Sequence, residues 1–207
     1  MSKTCSEPTL VFVPGLRDHV AQHWQTLLER RLRESGRSVV SVPPMGRDDL
    51  FCTSRVEAIE AAFAQVRSPA IIIAHSGGVV MVAHWASKYR HPILGALLAA
   101  PPDFEQPMPA GYPTMDALSA AGWLPVPREP LPLPLPSIVA ASRNDPLARS
   151  GRVAALARDW SSELVDLGQV GHLNPASGFG EWPMADRLIS RLSGHDAAAS
   201  RTVSGRH

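Results

Sequence analysis

Residues Ala70 to Trp85 read AIIIAHSGGVVMVAHW, an apolar β-branched run that breaks at a short turn and then continues as a second apolar segment. The run before His75 predicts a buried strand, and the residues after Gly78 fit a helix. A serine at such a strand-to-helix corner exposes its hydroxyl above the sheet, as in the G-x-S-x-G nucleophile elbow. Ser76 is therefore a candidate nucleophile.

The flanks of Ser76 are small, as an elbow requires. Ala74 stands where the pattern has its first glycine, and Gly78 keeps the last position. Small flanks are needed because a strained serine brings strand and helix close together. The backbone N–H of Gly77 would then face a developing oxyanion. An ordinary connection in which Ser76 only caps the helix is the alternative interpretation.

Composition indicates a globular chain with no electrostatic preference for polyanions. The chain has 207 residues, 44% hydrophobic and 19% charged, and a net charge of +1. This charge favours neither nucleic acid nor an anionic membrane surface as a partner. We expect a single domain over residues 1–194 and a polar, disordered tail over residues 195–207.

The cysteines and the N-terminal segment suggest a reduced compartment. Cys5 and Cys52 are the only cysteines, too few for a disulfide framework or a metal site. No zinc or P-loop spacing is present, so we expect neither a metal nor another cofactor. The N-terminal residues lack the apolar core of a signal peptide, and no apolar run is long enough to cross a membrane. A cytoplasmic location is the expectation.

Strand-like and helix-like segments alternate along the chain, which predicts the α/β class with a parallel sheet and right-handed crossovers. The predicted strands are residues 9–13, 38–42, 70–74, 95–100, 137–142 and 163–167. Besides the helix that follows Ser76, the predicted helices are residues 22–34, 54–65, 150–160 and 184–192. For the helix over 54–65, Ser54 and Glu57 are the expected caps.

A proline-dense stretch interrupts this alternation. Eleven of the twenty prolines lie between Pro101 and Pro136. Such density argues against a regular helix or an inner strand. The stretch could serve as a polyproline ligand for another domain, but an ordered crossover that packs its leucines on the fold is the favoured interpretation.

Chemically useful side chains follow several predicted strands at the edge where ligands bind in parallel sheets. Ser76, Asp145 and His172 each lie just past a strand end, in the order serine, acid, histidine. A serine needs a base to take its proton, and the base needs a third group to orient it. His172 is the candidate base, whereas His75 is expected to pack or to form a hydrogen bond.

Two carboxylates compete for the role of the third group. Asp145 follows the fifth predicted strand, next to the strand that delivers His172, and is the first choice. Its Asn-Asp-Pro context could equally be a plain turn in which the carboxylate binds its own backbone. Asp103, after the fourth strand, is the reserve candidate.

Several motifs extend over nearly the whole chain, from about Leu10 to Leu192. They are VPGL at 13–16, HWQ at 23–25, AHSGG at 74–78, AHW at 83–85, APPD at 100–103, ASRNDP at 141–146 and GHLNPASGFGEWP at 171–183. With them the chain resembles the compact α/β-hydrolases of the retinoblastoma-binding-protein-nine and YdeN group of serine hydrolases.

That resemblance implies a three-layer sandwich whose sheet has strand order 2-1-3-4-5-6. It also implies a Ser76-Asp145-His172 triad with an oxyanion hole formed by the N–H groups of Gly77 and Leu16. Three features depart from the group. A bulky loop, Leu16 to Val20, replaces a small Gly- and Ser-rich one, and Gly77 stands where leucine is common. The segment from Met45 to Thr53 also lacks the tryptophan motif that the group has there.

The sequence therefore predicts a serine hydrolase that cleaves carboxylic esters of small acyl substrates through an acyl-enzyme. Amides and thioesters remain open, and short acyl groups are expected because a compact chain leaves little material for a lid. The alternative is a binding module that keeps the fold with weak or no catalysis, suggested by the unusual residues Arg17, Asp18 and His19. The sequence identifies no protein partner.

Overall fold

One parallel sheet organises the computed structural model, which describes residues 7–16, 20–46, 49–128 and 136–194. Its strands are β1 Thr9–Val13, β2 Val39–Ser41, β3 Ala70–His75, β4 Ile93–Ala99, β5 Ser137–Ala141 and β6 Glu163–Asp166. They are ordered β2-β1-β3-β4-β5-β6, and every neighbouring pair is parallel. This order is the one that the resemblance implies.

Helices cover both faces of the sheet. They are α1 Trp24–Glu34, α2 Cys52–Phe63, α3 Gly77–Lys88, α4 Met115–Ala120, α5 Ser150–Asp159 and α6 Met184–Leu192. The core that holds the buried residues of α1 and α6 is separate from the core that holds those of α2, α3 and α5. The predicted three-layer sandwich is thereby confirmed.

Strand β3 contributes side chains to both cores, because successive side chains of a strand point to opposite faces of the sheet. Ile72 belongs to the core beneath α2, α3 and α5, whereas Ile71 and Ile73 belong to the core beneath α1 and α6. All three isoleucines are fully buried. Truncating such a side chain to alanine costs about 2–5 kcal/mol, so the strand that leads into Ser76 is firmly held.

The proline-dense stretch contains a helix, contrary to the sequence expectation. Helix α4 occupies Met115–Ala120, and the Thr114 side chain caps it by accepting the N–H of Ala117. Its six residues contain no proline, so the helix-breaking prolines of this stretch all lie outside the helix. The side chains of Phe104, Leu118 and Trp123 are buried, which agrees with an ordered crossover up to residue 128.

Helix α2 also differs from its prediction. It begins at Cys52 rather than near Ser54, and no side chain caps it at Phe51. Its first N–H, that of Cys52, instead donates to the carbonyl oxygen of Ala121 at 2.9 Å. A distant backbone acceptor thus replaces the predicted Ser54 and Glu57 caps.

Several sequence expectations concern residues outside the described part of the chain. These are the Arg17-Asp18-His19 loop, the leucines of residues 131–135 and the tail over residues 195–207. Among the residues that are described, no helix is both long and apolar enough to span a bilayer.

Candidate active site

Ser76 occupies a strained backbone position between β3 and α3. Its φ of 55° and ψ of −133° lie outside the regions that non-glycine residues ordinarily adopt. Although Ser76 precedes the first helical residue, its side chain makes no capping hydrogen bond. The hydroxyl therefore remains available for chemistry, which is the geometry of a nucleophile elbow rather than of an ordinary cap.

Close packing of the chain explains the glycine after this corner. A Cβ added at Gly78 would lie 2.6 Å from the carbonyl oxygen of Val13, inside the contact distance of two such atoms. Only glycine lets the start of α3 approach the end of β1 this closely. The elbow and the loop after β1 are thus held against each other.

The three residues selected from the sequence form one chain of hydrogen bonds. His172 Nε2 lies 2.8 Å from Ser76 Oγ, and His172 Nδ1 lies 2.8 Å from Asp145 Oδ2. Because a carboxylate can only accept, Nδ1 carries the proton, and Nε2 of the neutral ring accepts the serine hydroxyl. The side chains of His172 and Asp145 are 6% and 3% exposed, so water has little access to their contact.

Asp145 makes the local turn contact as well. Its Oδ1 accepts the N–H of Leu147 at 2.8 Å, while Oδ2 faces His172. The carboxylate therefore makes the predicted turn contact and the contact with His172 at the same time. The backbone contact fixes the direction of the carboxylate towards the imidazole.

Asp103, the reserve acid, points elsewhere. Its Oδ2 accepts from Arg152 Nε at 2.9 Å, and its side chain is 6% exposed. Its backbone N–H donates to the carbonyl oxygen of Leu147 at 3.0 Å, so it supports the loop that carries Asp145. The cationic Arg152 on α5 is thus the partner of the Asp103 carboxylate, whereas Asp145 is the carboxylate that contacts His172.

The backbone of His172 is held on both sides by other side chains. Its N–H donates to Ser177 Oγ at 3.0 Å, and its carbonyl oxygen lies 3.0 Å from His75 Nε2. Ser177 Oγ in turn donates to Asn174 Oδ1 at 2.9 Å. Sequence reasoning included Asn174 and Ser177 in a motif but predicted no function for them. Their polar side chains, two and five residues after His172, were the sequence feature that could have indicated a contact with its backbone.

His75 forms a hydrogen bond, one of the two structural roles that the sequence predicts for it, and acts in it as a neutral donor. A carbonyl oxygen is its partner, so Nε2 carries the proton. Burial holds the pKa of His75 well below its ordinary value, and the neighbouring rings of His172 and His23 lower the pKa further. The hydrogen bond to His172 opposes these effects only in part. His75 is therefore uncharged at neutral pH.

Leu16 and Gly77, the two residues expected to supply oxyanion donors, are in contact. A Cβ added at Gly77 would lie 2.5 Å from Cγ of Leu16, so the leucine side chain fills the space beside the glycine. Neither backbone N–H has a hydrogen-bond acceptor among the described residues. Both residues line the same pocket as Ser76.

The pocket at Ser76 has a volume of about 480 Å³. The loop after β1, the crossover after β4 and the turn that follows His172 all contribute to its lining. No group of three or more His, Cys, Asp or Glu side chains in the described part of the chain is arranged to hold a metal ion.

The model of the serine hydrolase family matches residues 10–191. The chain belongs to this serine hydrolase family. Membership places it among the hydrolases, in agreement with the group that its motifs resemble. A comparison with curated proteins gives no significant match.

Solved structures with the same architecture include a hydrolase of the same group. The YdeN-like hydrolase of Pectobacterium atrosepticum is 30% identical, with 90% of this chain and 91% of that chain covered and a TM-score of 0.73. The ydeN gene product of B. subtilis is 14% identical, with 90% and 98% covered and a TM-score of 0.71. The methylesterase MES16 of Arabidopsis is 17% identical, with 90% and 99% covered and a TM-score of 0.61. The last two likenesses concern the fold alone.

Proposed function

We propose that this serine hydrolase cleaves carboxylic esters of small-molecule acyl substrates, with Ser76 as nucleophile, His172 as base and Asp145 as the acid that orients it. The observation that carries the proposal is the continuous hydrogen-bond chain from Ser76 Oγ through the His172 ring to Asp145, beginning at a strained serine. A serine hydroxyl becomes a competent nucleophile only when such a base can take its proton.

The reaction has two halves. Ser76 Oγ attacks the ester carbonyl while His172 Nε2 takes the hydroxyl proton, and that proton then passes to the departing alcohol. Water repeats the attack on the acyl-enzyme, again through His172, and releases the carboxylic acid. Asp145 keeps Nδ1 protonated and stabilises the imidazolium in both halves.

The negative charge that develops on the carbonyl oxygen needs donors that are already in place. The N–H groups of Gly77 and Leu16 are the proposed pair, since both border the pocket beside Ser76 and have no other acceptor among the described residues. Loss of one such donor typically costs about 10²–10³ in kcat.

Labelling by a fluorophosphonate probe and hydrolysis of p-nitrophenyl acetate test the proposal together. Ser76→Ala is expected to abolish both. Ser87→Ala is the matched control, because Ser87 is an exposed residue on the same helix α3, and it is expected to behave as the wild-type protein. Probe labelling that persists in Ser76→Ala would overturn the assignment.

A substrate panel separates ester cleavage from the other outcomes. Matched p-nitrophenyl esters, p-nitroanilides and thioesters with the same acyl group are compared in kcat/KM. We expect the ester to be preferred. Rapid labelling of Ser76 without turnover of any member would instead identify a binding module that keeps the fold.

A further inference from the structure

The walls of the pocket at Ser76 are built largely from apolar side chains. Phe104 and Met108 lie in the crossover between β4 and β5. The prediction of short acyl groups from the sequence did not consider that this crossover could cover the pocket. Leu16 and Leu50 line the same pocket, and both pack partly buried against the core, as does Met108. The pocket therefore has more apolar wall than an acetyl group needs.

The polar side chains in the lining are already occupied or uncharged. Gln25 Nε2 donates to the carbonyl oxygens of Val13 and Ile73, at 3.2 and 3.0 Å. His75 donates to the backbone of His172 and is neutral at pH 7. Within the described ranges, no Asp, Glu, Lys or Arg side chain lines the pocket.

The position of His172 divides the pocket between the two parts of an ester. His172 Nε2 must reach the oxygen of the departing alcohol to protonate it, so the alcohol lies on the side of His172 and of the residues that follow it, Asn174 to Ala176. The remaining apolar wall is left to the acyl group. A charged acyl group there would lose its water without gaining an ionic partner among the described residues of the lining, which is costly.

We propose that the pocket selects an uncharged, apolar acyl group larger than acetyl, and that Met108 is a specificity-determining residue in its wall. This inference rests on the proposed function and replaces the expectation of short acyl groups. A volume of about 480 Å³ lies in the range that holds small organic ligands, well above the size of an acetyl group.

Chain length is tested with p-nitrophenyl acetate, butyrate and hexanoate below their aggregation concentrations. Each methylene buried in an apolar pocket can favour binding by about fourfold, so kcat/KM is expected to rise at least about tenfold from acetate to hexanoate. A flat series, or a maximum at acetate, would overturn the proposal.

Charge is tested with acyl groups of matched length. The mono-p-nitrophenyl ester of adipic acid carries a terminal carboxylate, and the 6-aminohexanoate ester carries a terminal ammonium. Both are expected to show kcat/KM at least about tenfold below that of the hexanoate, because either charge must be desolvated. A charged ester that equals or exceeds the hexanoate would contradict an apolar acyl site.

Variants at Met108 connect this selectivity to the wall. Met108→Leu is expected to keep the preference for hexanoate, whereas Met108→Lys is expected to lower hexanoate turnover and to raise the ratio of adipate to hexanoate turnover at least about tenfold. Leu164→Lys is the control, since Leu164 is an exposed residue of β6 outside the pocket. An equal change of the ratio in Leu164→Lys and Met108→Lys would show that net charge, not the wall, is responsible.

The outcomes distinguish this inference from the proposed function. Fluorophosphonate labelling of Ser76 does not depend on the acyl group of an ester. If labelling occurs and the substrate series is flat or favours charge, only the acyl-site inference fails. If Ser76 is not labelled at all, the proposed function fails first.

Discussion

Asn144 ties the acid loop to the histidine loop: its Oδ1 accepts the backbone N–H of Gly171 at 2.7 Å, directly beside His172. The same oxygen accepts the hydroxyl of Ser142 at 2.9 Å. The loop after β5 therefore carries Asp145, the partner of His172, and also holds the backbone of Gly171, the residue before His172. The Asn144 carboxamide thus joins the two loops, together with the backbone hydrogen bond from Arg143 to Gly168 and the hydrogen bond from the Val170 N–H to Ser142 Oγ.

We expect Asn144→Ala to lower kcat by about 10- to 100-fold with little change in KM, because a small displacement of a catalytic group is costly. Asn144→Asp keeps an oxygen in the same place and should recover much of this loss. Its added negative charge should also move the acid limb of the pH–rate profile to higher pH. Equal losses in both variants, with an unmoved profile, would indicate a merely structural role.

Asp145→Asn is expected to lower kcat by about 10⁴ while the fold survives, because an amide no longer enforces protonation at Nδ1 of His172. Steady-state kinetics and thermal unfolding, measured on the same samples, check both parts.

Asp103→Asn is the matched comparison, since it changes the other candidate acid in the same way. It should leave kcat within about tenfold but lower the free energy of unfolding by about 1–3 kcal/mol, because the partly buried contact of the Asp103 carboxylate with Arg152 weakens. If Asp103→Asn proved the more damaging of the two for kcat, Asp145 would not be the acid.

The contact of Leu16 with Gly77 predicts a strong coupling. Gly77→Ala introduces a Cβ 2.5 Å from Leu16 Cγ and is expected to destabilise the fold by about 1–3 kcal/mol and to slow fluorophosphonate labelling. The double variant Leu16→Ala with Gly77→Ala should recover most of the loss. A double-mutant cycle on unfolding free energies measures the coupling, and strictly additive effects would contradict the contact.

The lowered pKa of His75 makes stability depend on pH in a defined direction. The unfolded chain binds a proton at His75 near pH 6.5, and the folded chain does not, so stability is fully present above pH 6.5 and is lost as the pH falls below it. His84, whose pKa burial also lowers, adds to the same trend. Urea unfolding at pH 7, 6 and 5 measures the slope.

His75→Gln should reduce this slope by up to about 1.4 kcal/mol per pH unit, because the amide does not titrate. Its N–H can still reach the carbonyl oxygen of His172, so it should also retain more activity than His75→Leu. Parallel stability curves for wild type and His75→Gln would show that other groups cause the acid loss.

Sequence reasoning located Ser76, Asp145 and His172 because a parallel sheet delivers its strand ends to one edge. Ser76 and Asp145 each follow a buried, apolar strand, whereas His172 follows β6, which is short and carries charged residues. The ends of all three strands can be placed at that edge without knowledge of long-range contacts. The choice between Asp145 and Asp103 was harder. The Asp103 carboxylate is oriented by Arg152, 49 residues later in the chain, and no local sequence pattern predicts that contact.

The features that sequence reasoning missed depend on contacts between distant segments. Helix α2 begins early because Ala121 offers an acceptor to Cys52, and Leu16 covers Gly77 although 60 residues intervene. Helix α4, in contrast, had a local signal, since Thr114 and the helix-forming residues after it follow the last nearby proline. The prediction missed this helix because it considered the proline content of the whole stretch and not of residues 115–120 alone.

Ser76 and His172 are 96 positions apart, so Ser76 is synthesised well before its hydrogen-bond partner. A nascent chain emerges from its N-terminus, so the strands around Ser76 can pair well before β6 exists. Until the turn after β6 docks beside β5, Ser76 lacks its proposed base, His172. A ribosome-bound chain that stops before His172 should therefore present a folded elbow that is inert towards acyl compounds.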